Sequence, residues 1–427
     1  MLIPSRRGFF GASLAGLASN YSFAADPATA DKKPADDAAF HPSTLFLTWF
    51  RDPTTTMTIQ WIGAMGETSD TKIYFSQASQ SFLPWGWESQ ASTPRPYGQT
   101  DLKVFRSELT NLKPGTDYLF RIGKESKAYR FRTMPAKATN AIQFISGGDC
   151  GVNAHAVANN IQAARQDPMF ALIGGDLGYD NGKSVEISLA FLRNYSKHMV
   201  GRDGRLIPML ACIGNHEVDG GYGKPRAKAP FFYALFDGLF TDTSYATIDF
   251  GDYLSLVLLD TGHTAPIAGD QTDWLEKTLK ERVDHPNLFV VNHVPAYPSF
   301  RNPGDDGKGK PGTGSGNRKH WVPLFQKYRV PVVLEHHDHT FKRTKPLLDG
   351  LEDDNGVRYL GDGSWGRLRA PTQAEKVSYL EASSGEYHLS LHRIQKEERF
   401  HLALDENGRV MDICRTAQRK KGLVRPE

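Results

Sequence analysis

The chain is 427 residues long, enough for two domains or so. Its formal net charge of +3 is nearly balanced, so a general affinity for nucleic acid is not indicated. Three cysteines, Cys150, Cys212 and Cys414, are too few for a disulfide scaffold, and no apolar run after the N-terminus is long enough to span a bilayer.

Residues 1–24 read as an export signal. Arg6 and Arg7 are paired, Phe9 and Phe10 follow, and a mildly apolar stretch of small residues ends at Ser22-Phe23-Ala24. This pattern resembles a twin-arginine signal, with an ordinary Sec signal as the competing reading. It predicts a mature protein that starts near Ala25 and works in the periplasm or beyond it. Residues 25–39, rich in Ala, Asp, Lys and Pro, read as a linker.

Residues 40–135 predict an all-β domain. In "TMTIQWIG", Met57, Ile59 and Trp61 alternate with polar positions, and "TKIYFS" and "KAYRFRT" behave alike. In "LTNLKPGTDYLFRIG", Leu112, Pro114, Gly115 and Tyr118 resemble the tyrosine corner of a fibronectin-III or immunoglobulin-like sandwich. Nothing in this part carries chemistry, and packing or spacing is its expected role.

From Ala141 the texture changes. "AIQFISGGD", "MFALIGGD" and "LIPMLACIGNHE" read as strands, with helical spacing in "VNAHAVANNIQAARQ" and "SVEISLAFLRNYSKHMV" between them. "YLSLVLLD", the helix "DQTDWLEKTLKERV", "NLFVVNH" and the strand before "EHHDH" continue the alternation. It predicts an α/β domain over 140–414 with a largely parallel central sheet. The short strands after residue 350 are expected to complete a second sheet, and 415–427 reads as a basic tail. The class is α+β and multi-domain. Residues 298–319, rich in Gly and Pro, read as a long loop beside the site.

Polar residues collect where these strands end. They are Asp149 in "GGDCG", Asp176 and Tyr179 in "GGDLGY", Asn215 and His216 in "IGNHE", His293 in "VNHVPAY", and His336, His337 and His339 in "EHHDH". A single Gly-Asp or Asn-His pair is ordinarily a turn or a cap. Five such blocks on successive strands converge on one edge of the sheet, which is where open α/β sheets bind ligands.

The blocks resemble the signature of metallophosphoesterases in the purple acid phosphatase variant. Asp149-Cys150-Gly151 matches Asp-x-Gly, Gly175 to Tyr179 matches Gly-Asp-x-x-Tyr, and Gly214 to Glu217 matches Gly-Asn-His-Asp/Glu. Val290 to His293 matches Val-x-x-His, and His337-Asp338-His339 matches the final His-x-His. The resemblance covers the chain from about residue 40 onward and implies a four-layer αββα catalytic domain behind the sandwich. It implies one metal site of Asp149, Asp176, Tyr179 and His339, suited to Fe(III). A second site of Asp176, Asn215, His293 and His337 is suited to a divalent Zn, Fe or Mn ion, with Asp176 bridging. A metal-bound hydroxide is then the nucleophile, and His216 binds phosphate or protonates the leaving group.

The sequence departs from the family in two places. His336 stands where the family has Gly, so it is expected to be an extra imidazole, behind the ligands or at the surface. The family's further substrate-binding histidine has no counterpart between His293 and His320, which leaves Arg301 and His320 as candidates for that role. The expected activity is hydrolysis of small phosphate monoesters. Phosphodiester hydrolysis on the same core, and a non-catalytic secreted binding protein, are the competing readings.

Overall fold

The computed structural model describes residues 39–304 and 311–417. The expected signal, nearly all of the expected linker, most of the basic tail and the middle of the 298–319 stretch lie outside these residues.

The first domain is two antiparallel four-stranded sheets. One runs in the order Phe46–Thr48, Met57–Gly63, Lys103–Leu109, Thr93–Pro96; the other runs Glu88–Gln90, Ile73–Gln77, Asp117–Ile122, Tyr129–Arg132. Tyr118 is buried, and its hydroxyl accepts the backbone N–H of Lys113 at 2.9 Å, the bond that a tyrosine corner makes.

The second domain has the two sheets that the sequence implies, but both are mixed rather than largely parallel. Two mixed sheets lie face to face. In the first, the parallel strands Met209–Ala211, Ala171–Ile173 and Ile142–Gly147 are followed by the antiparallel strands His388–Gln395, Glu398–Asp405 and Val410–Ala417. The last strand thus runs to Ala417, past the expected limit at residue 414. In the second, Ala246–Phe250, Leu254–Leu258, Leu288–Asn292, Val332–Glu335, Arg358–Asp362, Phe341–Thr344 and Leu380–Ser384 lie side by side. Apart from the two-residue strand Leu351–Glu352, which pairs with Leu347–Leu348, the strands after residue 350 divide between the two sheets. Ile142–Gly147 needs a partner on its open side, and His388–Gln395 supplies it in antiparallel register.

Alternation along the second sheet shows why the layers form. Leu256, Leu258, Phe289, Val291 and Leu334 point into the core shared with the first sheet. Val257, Val290, Val333 and Tyr359 point the other way, onto the helices Asp270–Glu281 and Val322–Lys327. Phe144 and Phe289 meet across the sheets edge to face, with ring centroids 5.3 Å apart. On the far side, the helix Ala154–Arg165 is capped by the Asn153 side chain, and Val185–His198 by that of Ser184. Parallel strands with both faces covered have few positions free to be polar except at their ends. That is where the functional residues gather.

Candidate metal centre

Each polar block begins within a few residues of the C-terminal end of a strand. Asp149 follows Ile142–Gly147, Asp176 follows Ala171–Ile173, and Asn215 follows Met209–Ala211. His293 directly follows Leu288–Asn292, and His337 and His339 follow Val332–Glu335. Within each sheet these strands are parallel neighbours, so their ends share one edge. The two edges meet. The backbone N–H of His337 donates to Asp149 Oδ2 at 2.7 Å, and His293 Nδ1 lies 2.8 Å from the carbonyl of Gly174.

The backbone at the site is held in an uncommon conformation. Asp149, Asp176, Tyr179, His337 and His339 all have φ between 55° and 69°. None is Gly, and left-handed backbone is costly for such residues unless the surroundings fix it. Five instances among seven convergent donors mark a site shaped for chemistry rather than for economy of folding.

The donors fall into two groups. In one, the Tyr179 hydroxyl lies 3.1 Å from Asp149 Oδ1 and 2.9 Å from His339 Nε2, and His339 Nε2 lies 3.0 Å from Asp149 Oδ1. In the other, His293 Nε2 lies 3.3 Å from Asp176 Oδ2, 3.2 Å from Asn215 Oδ1 and 3.1 Å from His337 Nδ1. Ligand atoms of Asp149, Asp176, His293 and His337 all lie within 4.8 Å of one another, so the groups abut.

Electrostatics shows that the cluster fits cations. Asp176 Oδ2 is buried and accepts no hydrogen bond, although it faces His293 and, at 4.0 Å, His216 Nε2. A buried carboxylate needs a positive partner, which here is a protonated imidazole or a metal ion in its place. Burial opposes charge on His293, but Asp176 outweighs it and lifts the imidazole to about 9. A metal ion at this position competes with that proton. Burial, reinforced by His293, keeps His337 neutral far into acid, so its lone pairs stay available. Burial and the carboxylates of Asp149 and Asp176 push the Tyr179 phenol well above its usual range, so a phenolate forms there only against a strong cation.

Glu217 and Asp338 stand in the matched blocks, but their supporting roles, like those of Asn181 and Tyr222, carry no signal in the sequence. Glu217 accepts backbone N–H groups from Asp176, Leu177 and Gly214 at 2.7–2.8 Å, which fixes the Asp176 turn. Asn181 Oδ1 meets His216 Nδ1 and orients that ring, whose Nε2 is left toward the cleft. Asp338, between the two histidines, accepts from Ser299 N at 2.6 Å, Phe300 N at 2.9 Å and Arg301 at 2.9 Å. Tyr222 sets its hydroxyl 3.3 Å from His337 Nε2.

His336 is not a surface group. It is 2 % exposed and packs behind the site, where Cβ atoms added at Gly148 and Gly174 would collide with its ring. Its own φ is not left-handed, so a residue other than Gly is tolerated there without strain. Arg301 donates to Asp338 and to the carbonyl of His337. His320 ends the helix Ser315–His320, a helix within the stretch read as loop, and no bond joins it to the cluster among the described residues.

A two-sheet domain with this cluster at its strand ends is a metallophosphoesterase in class. Residues 42–133 match the family described as Purple acid Phosphatase, N-terminal domain, and residues 147–341 match Calcineurin-like phosphoesterase. Purple acid phosphatase 21 of Arabidopsis thaliana is 26% identical over 72% of this chain and 69% of its own length. An uncharacterized protein of Mycobacterium tuberculosis is 27% identical over 73% of this chain, which spans 63% of that relative. A purple acid phosphatase from yellow lupin seeds, PPD1, shares the fold, with a TM-score of 0.71 and 15% identity over 88% of this chain and 74% of its own. The chain belongs to the purple acid phosphatase family of calcineurin-like phosphoesterases, a family of phosphoric ester hydrolases.

Proposed function

We propose that the chain is an exported phosphatase that hydrolyses small phosphate monoesters at a dinuclear Fe(III)–M(II) centre, with M being Zn, Fe or Mn. The observation that carries this reading is the division of the donors into two abutting groups around the orphaned Oδ2 of Asp176. Asp149, Asp176, Tyr179 and His339 make a hard, anionic set suited to Fe(III). Asp176, Asn215, His293 and His337 make a mostly neutral set suited to a divalent ion. When bound, the two cations supply Lewis acidity and an activated water for displacement at phosphorus.

The protein's own residues do the remaining work. His216 Nε2, oriented through Asn181, hydrogen-bonds a phosphoryl oxygen and gives a proton to the departing alkoxide. Burial of Asp149, Asp176 and His293 keeps bulk water from the charged core. The bonds of Arg301 to the His337 turn favour a positioning role for it, and His320 takes no part. Export is supported by Arg6-Arg7 and the small residues at 22–24.

The test compares an aryl monoester with the bis-ester of the same alcohol on metal-loaded protein. We expect kcat/KM to be at least tenfold higher for the monoester. Faster cleavage of the bis-ester moves the protein to the phosphodiesterases. Two tightly bound metals with no turnover of either ester leave a binding protein.

A further inference from the structure

One wall of the site is built by Gly366 to Arg369, a segment outside every block of the metal cluster. It is irregular, yet it is tied down at each end. Gly366 N donates to the carbonyl of Asp149 at 3.1 Å, Asn153 Nδ2 donates to the carbonyl of Gly366 at 2.7 Å, and Arg369 N donates to the carbonyl of His339 at 2.8 Å. An added Cβ on Gly366 would sit 1.8 Å from the Cys150 carbonyl oxygen, so the segment presses directly on the turn that carries Asp149.

The side chains it presents are Leu368 and two arginines, Arg367 and Arg369. Together with Tyr179, His216, His339 and Tyr387 they line a cleft of about 470 Å³, in which no lining residue is acidic. The Arg367 guanidinium lies 4.1 Å above the Tyr179 ring, and that of Arg369 lies 4.8 Å from the Phe300 ring. Neither guanidinium has a carboxylate or hydrogen-bond partner among the described residues. Other arginines near the site or in the core are paired: Arg301 with Asp338, Arg106 with Asp237, Arg343 with Asp412. Stacking on an aromatic face holds a guanidinium in place while leaving its N–H edge free, and that edge matches phosphate or carboxylate geometry. Both arginines line this one cleft.

Building on the phosphatase reading, we infer that Arg367 and Arg369 form a two-point anion clamp that selects phosphate monoesters whose leaving group carries a second anionic group. Arg367, beside Tyr179 and His216, takes the oxygens of the phosphoryl group that is transferred. Arg369, farther along the wall, takes the second anion, a carboxylate or another phosphate. A neutral leaving group meets only the first arginine.

The test uses the full, metal-loaded chain and the variants Arg367→Ala, Arg367→Lys and Arg369→Ala. Binding of inorganic phosphate is measured by calorimetry, and kcat/KM for phenyl phosphate and for 4-carboxyphenyl phosphate. We expect Arg367→Ala to weaken phosphate at least tenfold, with part of the loss restored in Arg367→Lys. We expect Arg369→Ala to lower kcat/KM for the carboxylated ester at least fivefold more than for phenyl phosphate. Unchanged phosphate binding in Arg367→Ala, or equal losses on both esters in Arg369→Ala, overturns the clamp. If wild type turns over neither ester, the phosphatase reading fails, and the phosphate constants alone then decide for or against Arg367.

Discussion

His336 shows how one side chain accounts for its neighbours. Its ring fills the space behind both Gly-Gly-Asp turns. A Cβ at Gly174 would lie 1.9 Å from His336 Cε1, and one at Gly148 would lie 2.7 Å from Cδ2. Neither glycine has a left-handed φ, so space and not conformation demands Gly there. The family's Gly at 336 and the glycines at 148 and 174 are thus alternatives in volume. Gly174→Ala in the wild-type background overpacks the site and should cost about 1–3 kcal/mol or more. His336→Gly should leave a cavity costing about 2–5 kcal/mol while keeping the ligands and their metal content. The double variant should recover about 1–3 kcal/mol of the summed loss, because the two residues compete for one volume. Denaturant unfolding of the four proteins checks this; simple additivity would contradict it, and loss of metal in His336→Gly would make His336 a ligand after all.

At the scale of elements, the turn between the strands Val332–Glu335 and Phe341–Thr344 depends on Asp338. Its carboxylate gathers Ser299, Phe300 and Arg301, so the start of the 298–319 segment and the His337–His339 turn are one unit. Asp338→Ala removes three donors' shared acceptor without touching a ligand. Outer partners of this kind typically contribute roughly 10–100-fold to metal affinity. We expect a loss of that size, with faster amide exchange at Ser299 and Phe300; unaltered affinity would show that the turn holds its own shape. The strands, helices and ligand blocks were legible because each rests on local signals, such as alternation, Asn153 and Ser184 caps, and Gly-Asp strand ends. The roles of Asp338, Asn181 and the Arg367 wall were not, because each group acts on residues distant in sequence and follows no periodic pattern. The helix Ser315–His320 was hidden by the glycines and prolines around it. The allotment of the C-terminal strands to two sheets depends on which edges stay open, which only the assembled fold decides.

One core takes side chains from both domains. Trp49 of the first domain is fully buried edge-on to Phe170 and Phe250 of the second, at 5.9 and 5.8 Å. Arg106 crosses the same boundary to reach Asp237. This common frame holds the two catalytic sheets so that Asp149, Asp176 and Asn215 from one meet His293, His337 and His339 from the other. Asp176 sits at the junction, with its unsatisfied Oδ2 toward the second sheet. The central claim is that this one carboxylate serves two cations. Metal analysis of purified wild type and Asp176→Asn, with aryl phosphate turnover on the same samples, tests it most directly. The account predicts two ions per wild-type chain, one of them iron, and loss of both ions together with most activity in a variant that still folds. An Asp176→Asn protein that keeps two metals and near-native turnover would contradict it.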